Sequence, residues 1–234
     1  MKSRLEIKSQ AKTNFKEQYG TGVLAALVLS AISFVLGALP ALFYRWREMP
    51  FSFGNDGFSY RYFDTSASAP FSIIGLLVMP PIVVGFAFLF LRMYRGERAD
   101  IGEAFGAGFR DYGRNLGGIL WMLLFTFLWT LLFIIPGIVK SFAYFMTPYI
   151  LADSKKVSPT QALKLSMKMT RGYKGEIFVM ALSFIGWMLL SMLTMGILFI
   201  LYVGPYMQAS FAGMYLELKN NALAKGIVTP EELE

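Results

Sequence analysis

The sequence predicts an all-α membrane protein with six transmembrane helices arranged as three hairpins and with amphipathic interfacial helices on the cytoplasmic side. Three observations predict it. Six apolar runs, at 21–44, 71–93, 116–135, 138–152, 177–195 and 197–216, approach the roughly 20 residues that a bilayer crossing needs. Basic residues fall overwhelmingly on one side of those runs. Each predicted hairpin is preceded by a segment with its own helix-start signal and helical apolar spacing.

The first 20 residues read as an amphipathic helix. Ser3-x-x-Glu6 fits a capping box, and Ile7, Ala11, Phe15 and Tyr19 form an apolar stripe beside a basic one of Lys8, Lys12 and Lys16. These residues are too polar for a simple charged leader, so the first span is expected to stay as an anchor. The first two runs are joined by a loop at 45–70. Within it FSFGNDGFSYRY alternates apolar and polar residues around Gly54-Asn55-Asp56-Gly57, which is a β-hairpin pattern. Its aromatics suit a small extracytoplasmic lid in the interfacial belt.

A second start signal, Asp100-x-x-Glu103, opens a stripe of Ile101, Phe105, Phe109 and Tyr112. The run IIPGIVKSFAYFMTPYILAD, 134–153, follows the third span, and Pro136-Gly137 is expected to make the turn. Lys140 would then lie less than one helical turn beyond it. Either its long stem snorkels to the outer headgroups, or it faces the bundle interior and holds an anionic group.

The third start signal is Ser158-x-x-Gln161 with Pro159 at the first helical position. Ala162, Leu165, Met169 and Tyr173 carry the apolar stripe; Lys164, Lys168 and Arg171 the basic one. The three amphipathic segments either dip into the headgroup boundary or pack on the ends of the bundle. Thr194-Met195-Gly196 separates the last two runs, and 219–234 forms a tail. Pro80-Pro81, Pro148 and Pro205 are expected to bend the second helix of each pair.

Basic residues number five in 1–20, five in 92–114 and six in 153–176, and Lys219 and Lys225 in the tail bring one side to 18. The other side holds Arg45, Arg47 and Arg61, with Lys140 near its edge. The positive-inside rule places both termini in the cytoplasm. The net charge of +7 therefore needs no nucleic-acid partner, and no binding module for one is visible.

The chain has no cysteine and no histidine. Thiolate nucleophiles, thiolate-bound zinc and imidazole acid–base chemistry are excluded. No phosphate-binding loop or paired-aspartate metal motif occurs, and no cofactor is expected. Ser9-Gln10-Ala11-Lys12 has the spacing of a Ser–Lys nucleophile but lies on the first amphipathic helix without companion motifs. Gly113-x-x-x-Gly117 is a weak helix-contact signal.

Three stretches, RLEIKSQAKTNFKEQYG, IIPGIVKSFAYFMTPYILAD and QALKLSMKMTRGYKGEIFVMALSFIGWMLL, resemble a bacterial integral-membrane family catalogued as domain of unknown function 975. The resemblance implies a multi-spanning protein of mainly Gram-positive bacteria, and it brings no catalytic residues. A weaker similarity links the chain to the membrane portion fused to some glycerophosphodiester phosphodiesterases, without their catalytic domain.

The expected function is non-enzymatic: a lipid-binding or membrane-organising protein of the bacterial plasma membrane, with anionic lipids as partners. Candidate headgroup ligands are Lys140, Lys8, Lys12, Lys16, Lys164, Lys168 and Arg171. The alternative is a transporter or flippase for an amphiphilic, lipid-like substrate.

Overall fold

Start signals in the sequence become helix starts in the computed structural model, which describes residues 2–42, 45–53, 56–64 and 68–233. The Ser3 Oγ accepts from the Glu6 N–H and the Glu6 carboxylate from the Ser3 N–H, opening α1 at Arg4–Glu17. The same reciprocal pair, Ser158 and Gln161, opens α8 at Pro159–Thr170. Asp100 accepts from the Glu103 N–H at the start of α4, Ile101–Arg110. There the box stays half-made, because the Glu103 carboxylate pairs with Arg92 instead.

The chain divides into two compact units, residues 28–79 and residues 1–27 with 80–234. The smaller unit holds the later part of α2, Tyr19–Ala41, and the earlier part of α3, Ala69–Tyr94, around a two-stranded antiparallel ladder. Strands β1, Arg45–Phe53, and β2, Asp56–Asp64, pair in register from Arg45 opposite Asp64 to Phe53 opposite Asp56. Of the expected turn, Gly54 and Asn55 lie outside the described residues. Arg47 and Asp64 form an ion pair at 2.8 Å.

The larger unit holds the remaining helices. After α4 come α5, Tyr112–Leu132, α6, Ile134–Tyr144, and α7, Thr147–Asp153. Beyond α8 lie α9, Lys174–Leu182, α10, Ile185–Leu193, a π turn at Phe199–Val203, α11, Gly204–Ala224, and a 3-10 turn at Pro230–Glu232. Five segments among the described residues are long and apolar enough to cross a membrane: 19–38, 69–94, 112–132, 134–153 and 174–193. The sixth expected run is not among them. It starts as the π turn and continues into α11, which is buried along most of its length and carries Glu217 and Lys219.

Two expectations about local structure are corrected. The chain turns at Phe133, whose backbone is extended, and not at Pro136-Gly137, which lies inside α6. Gly137 serves a different purpose: a Cβ there would lie 2.7 Å from the Thr130 Cα, so glycine permits close approach of α6 to α5. In α4 the buried positions are Ala104 and Gly108, while Phe109 and Tyr112 at the end of the expected stripe are about 40% exposed. The reason is proximity to α3. A Cβ on Gly85 would overlap the Ala104 carbonyl, and one on Gly108 the Pro81 carbonyl. Backbones that close leave room only for small residues between them.

The stripes of α1 and α8 are interior. Ile7, Ala11 and Phe15 are fully buried, and α1 packs along α11. Ala162, Leu165 and Met169 are buried where α8 meets α5, α6 and α7. Pro148 and Pro205 sit in the first turns of α7 and α11, starting helices where mid-helix bends were expected. Gly113 faces open space, and Gly117 abuts Pro159, so that pair mediates no Gly-to-Gly helix contact.

Candidate functional site at the basic end

Two charged residues, Arg95 just beyond α3 and Lys219 of α11, converge on Asp153, the last residue of α7. Arg95 reaches its Oδ1 at 2.5 Å, and Lys219 reaches Oδ2 at 2.5 Å. The Tyr215 hydroxyl donates to Oδ2 at 3.0 Å. The Asp153 side chain is 6% exposed, against 32% for Arg95 and 21% for Lys219. Tyr149 stacks on Tyr215 with ring centroids 5.8 Å apart. A carboxylate held by two cations is a structural counter-ion; it is a poor proton acceptor because protonation would leave both cations unpaired.

Around this cluster, other contacts tie the basic segments together. Arg114 donates to the carbonyls of Leu151 and Ser154, at 2.9 and 2.5 Å, and so caps the C-terminal end of α7. The Gln18 side chain donates to the Glu97 carbonyl and accepts from the Ala99 N–H, each at 2.8 Å. Asn14 donates to the Tyr94 carbonyl at 2.7 Å. Lys2 pairs with Glu217 at 3.5 Å. The four segments that the charge count assigns to one side therefore meet at one end of the larger unit.

The seven candidate headgroup ligands divide by environment. Lys12, Lys16, Lys164 and Arg171 are exposed and take part in no ion pair among the described residues. Lys168 is paired with Glu232 at 2.6 Å, and that bond holds the Glu232 carboxyl below its usual pKa. Lys8 folds back onto the protein. Its ammonium donates to the Ser183 Oγ at 3.0 Å and lies 4.1 Å from the Phe184 ring centroid, and burial lowers its pKa. Lys140 stands 4.7 Å over the Trp129 ring and 4.0 Å from the Met167 Sδ of α8. It lies six residues into α6, about 9 Å along the axis, which overturns the placement within one turn of the chain reversal.

Sequence reasoning missed the Asp153 cluster. Arg95, Asp153 and Lys219 each stand at the end of an apolar segment, and that shared position was the available signal. Among the described residues no group of three acidic side chains could hold a metal ion.

Five apolar helical segments among the described residues and a charged end held together by ion pairs define an α-helical, multi-pass membrane protein. Residues 118–222, from within α5 to near the end of α11, match the family described as Protein of unknown function (DUF975), the family that the sequence resembles. Neither a curated protein nor a solved structure matches the chain, and the similarity to glycerophosphodiester phosphodiesterases is not shown.

Proposed function

We propose that this is a non-enzymatic membrane-organising protein that binds anionic lipid headgroups at its basic end. In this reading three helical pairs enter a bacterial plasma membrane from the cytoplasmic side, where both termini lie. The observation that carries it is the division of the cations. Some are committed to the fold, as in the Asp153 cluster. Lys12, Lys16, Lys164 and Arg171 take part in no ion pair among the described residues and stand exposed on α1 and at α8. An exposed lysine near an anionic membrane surface contributes about 1 kcal/mol of attraction, whereas ion-paired cations contribute less. The absence of histidine and cysteine supports a non-catalytic role.

The test uses the whole protein in nanodiscs of mixed anionic and neutral phospholipid, with the lipids retained on mild extraction quantified by mass spectrometry. Enrichment of anionic lipid is expected, falling about fivefold for each of Lys12→Gln, Lys16→Gln, Lys164→Gln and Arg171→Gln that meets a headgroup, the factor that about 1 kcal/mol implies. Equal retention of neutral and anionic lipid would sink the proposal. Lipid movement between leaflets in proteoliposomes would favour the transporter instead.

A further inference from the structure

We infer that the pair formed by α10 and the segment leading into α11 does not cross the bilayer, but dips into the hydrocarbon of the leaflet on the basic side and returns. The argument begins with α1. Its charged residues Arg4, Lys12, Lys16 and Glu17 are exposed, and charges on a helix surface are costly within hydrocarbon. This helix must lie at the headgroup boundary or in water.

It lies there alongside α11. The Lys2 N–H donates to Glu217 at 3.0 Å, the Tyr206 hydroxyl to the Lys8 carbonyl at 3.4 Å, and the Phe15 ring meets Tyr202 at 6.0 Å. The stretch from 202 to 217 thus runs beside a helix excluded from hydrocarbon, and it cannot itself be a membrane crossing. The other limb gives the same level. Lys8 holds Ser183 and Phe184, immediately before α10.

From that level only nine residues of α10 lead to the turn. At 1.5 Å per residue they extend about 14 Å, half of the roughly 30 Å of hydrocarbon in a bilayer.

The turn has the chemistry of a buried one. No charged residue occurs between 177 and 216, and Leu193, Met195 and Ile197 are 81%, 94% and 61% exposed. Irregular backbone in hydrocarbon must satisfy its own polar groups. The N–H groups of Thr194 and Gly196 bond the Ser191 carbonyl, that of Met195 the Met192 carbonyl and that of Ile197 the Thr194 carbonyl. The Leu198 N–H bonds the Thr194 Oγ1 at 3.1 Å. By contrast, the 45–64 connection carries Arg45, Arg47, Glu48, Asp56, Arg61 and Asp64, as suits a loop in water.

The partner of this surface is the acyl-chain region of one leaflet. The chain then makes at most four full crossings, and its third pair is an asymmetric insertion on the side of the basic end. This does not depend on which headgroups the lysines bind.

The natural absence of cysteine makes the test direct. Met195→Cys, and separately Leu193→Cys and Ile197→Cys, are placed in the full chain in right-side-out and inverted vesicles. An impermeant maleimide is expected to leave all three unlabelled from either side and to label them after detergent denaturation. A nitroxide at 195 should collide with oxygen in preference to a polar nickel complex, with a depth near the bilayer centre. Labelling from either aqueous side, or a headgroup-level depth, would overturn the inference. Lipid retention, which tests the headgroup proposal, has its own separate outcome.

Discussion

Asp153 accepts three donors, and two of them are cations. Burying such a group is costly unless every partner is present. Asp153→Asn should therefore destabilise by about 3–5 kcal/mol, because it leaves Arg95 and Lys219 without their counter-charge. Tyr215→Phe removes one neutral donor and should cost about 1 kcal/mol. Thermal unfolding in detergent separates the two, and a wild-type Tm for Asp153→Asn would show that the cluster contributes nothing to stability. Lysines follow the same logic. Lys8 belongs to the same helical stripe as Lys12 and Lys16, yet it alone is occupied by the Phe184 ring and the Ser183 hydroxyl. Helical position does not distinguish them; the neighbours that the fold delivers do.

At the scale of elements, α8 explains how a broken helix is tolerated. The Ser166 Oγ donates to the Ala143 carbonyl at 2.7 Å and accepts from the Met146 N–H at 3.2 Å. The Thr170 Oγ1 donates to the same Ala143 carbonyl at 3.3 Å. Hydroxyls from a neighbouring helix thus satisfy the backbone where α6 gives way to α7, which membrane-embedded breaks require. The α3–α4 crossing shows the steric counterpart. Gly108→Ala should destabilise by about 1–3 kcal/mol through overpacking, since its Cβ would meet the Pro81 carbonyl. Gly106, about half a turn away and facing open space, provides the control: Gly106→Ala should be neutral or stabilising by up to about 1 kcal/mol. Equal effects of the two substitutions on Tm would argue against a close crossing.

For the whole molecule, the charge asymmetry predicts sidedness. Single cysteines at Ser59, in β2, and at exposed Lys156, in the loop before α8, should differ towards an impermeant thiol reagent on intact cells. Position 59 is expected to label and position 156 to remain protected; the opposite pattern would reverse the orientation. Position 154 would be uninformative, because Ser154 is buried.

Apolar runs, helix starts and the clustering of basic segments were legible in the sequence because each rests on local chemistry. A run of about 20 apolar residues has one favourable solvent, and a capping box satisfies its own orphan donors. The helix N-termini at Ser3, Asp100 and Ser158 accordingly lie where the sequence puts them. Tertiary structure alone decided which stripe is covered, where α5 turns into α6, and which charges meet at Asp153. Each of those depends on residues far apart in the chain. Gly85 and Gly108 are 23 positions apart, and Arg95 and Lys219 are separated by 124. The same holds for the segment before and within α11. By composition it reads as a sixth span; what sets it apart is α1, a charged helix that only the folded chain lays against it.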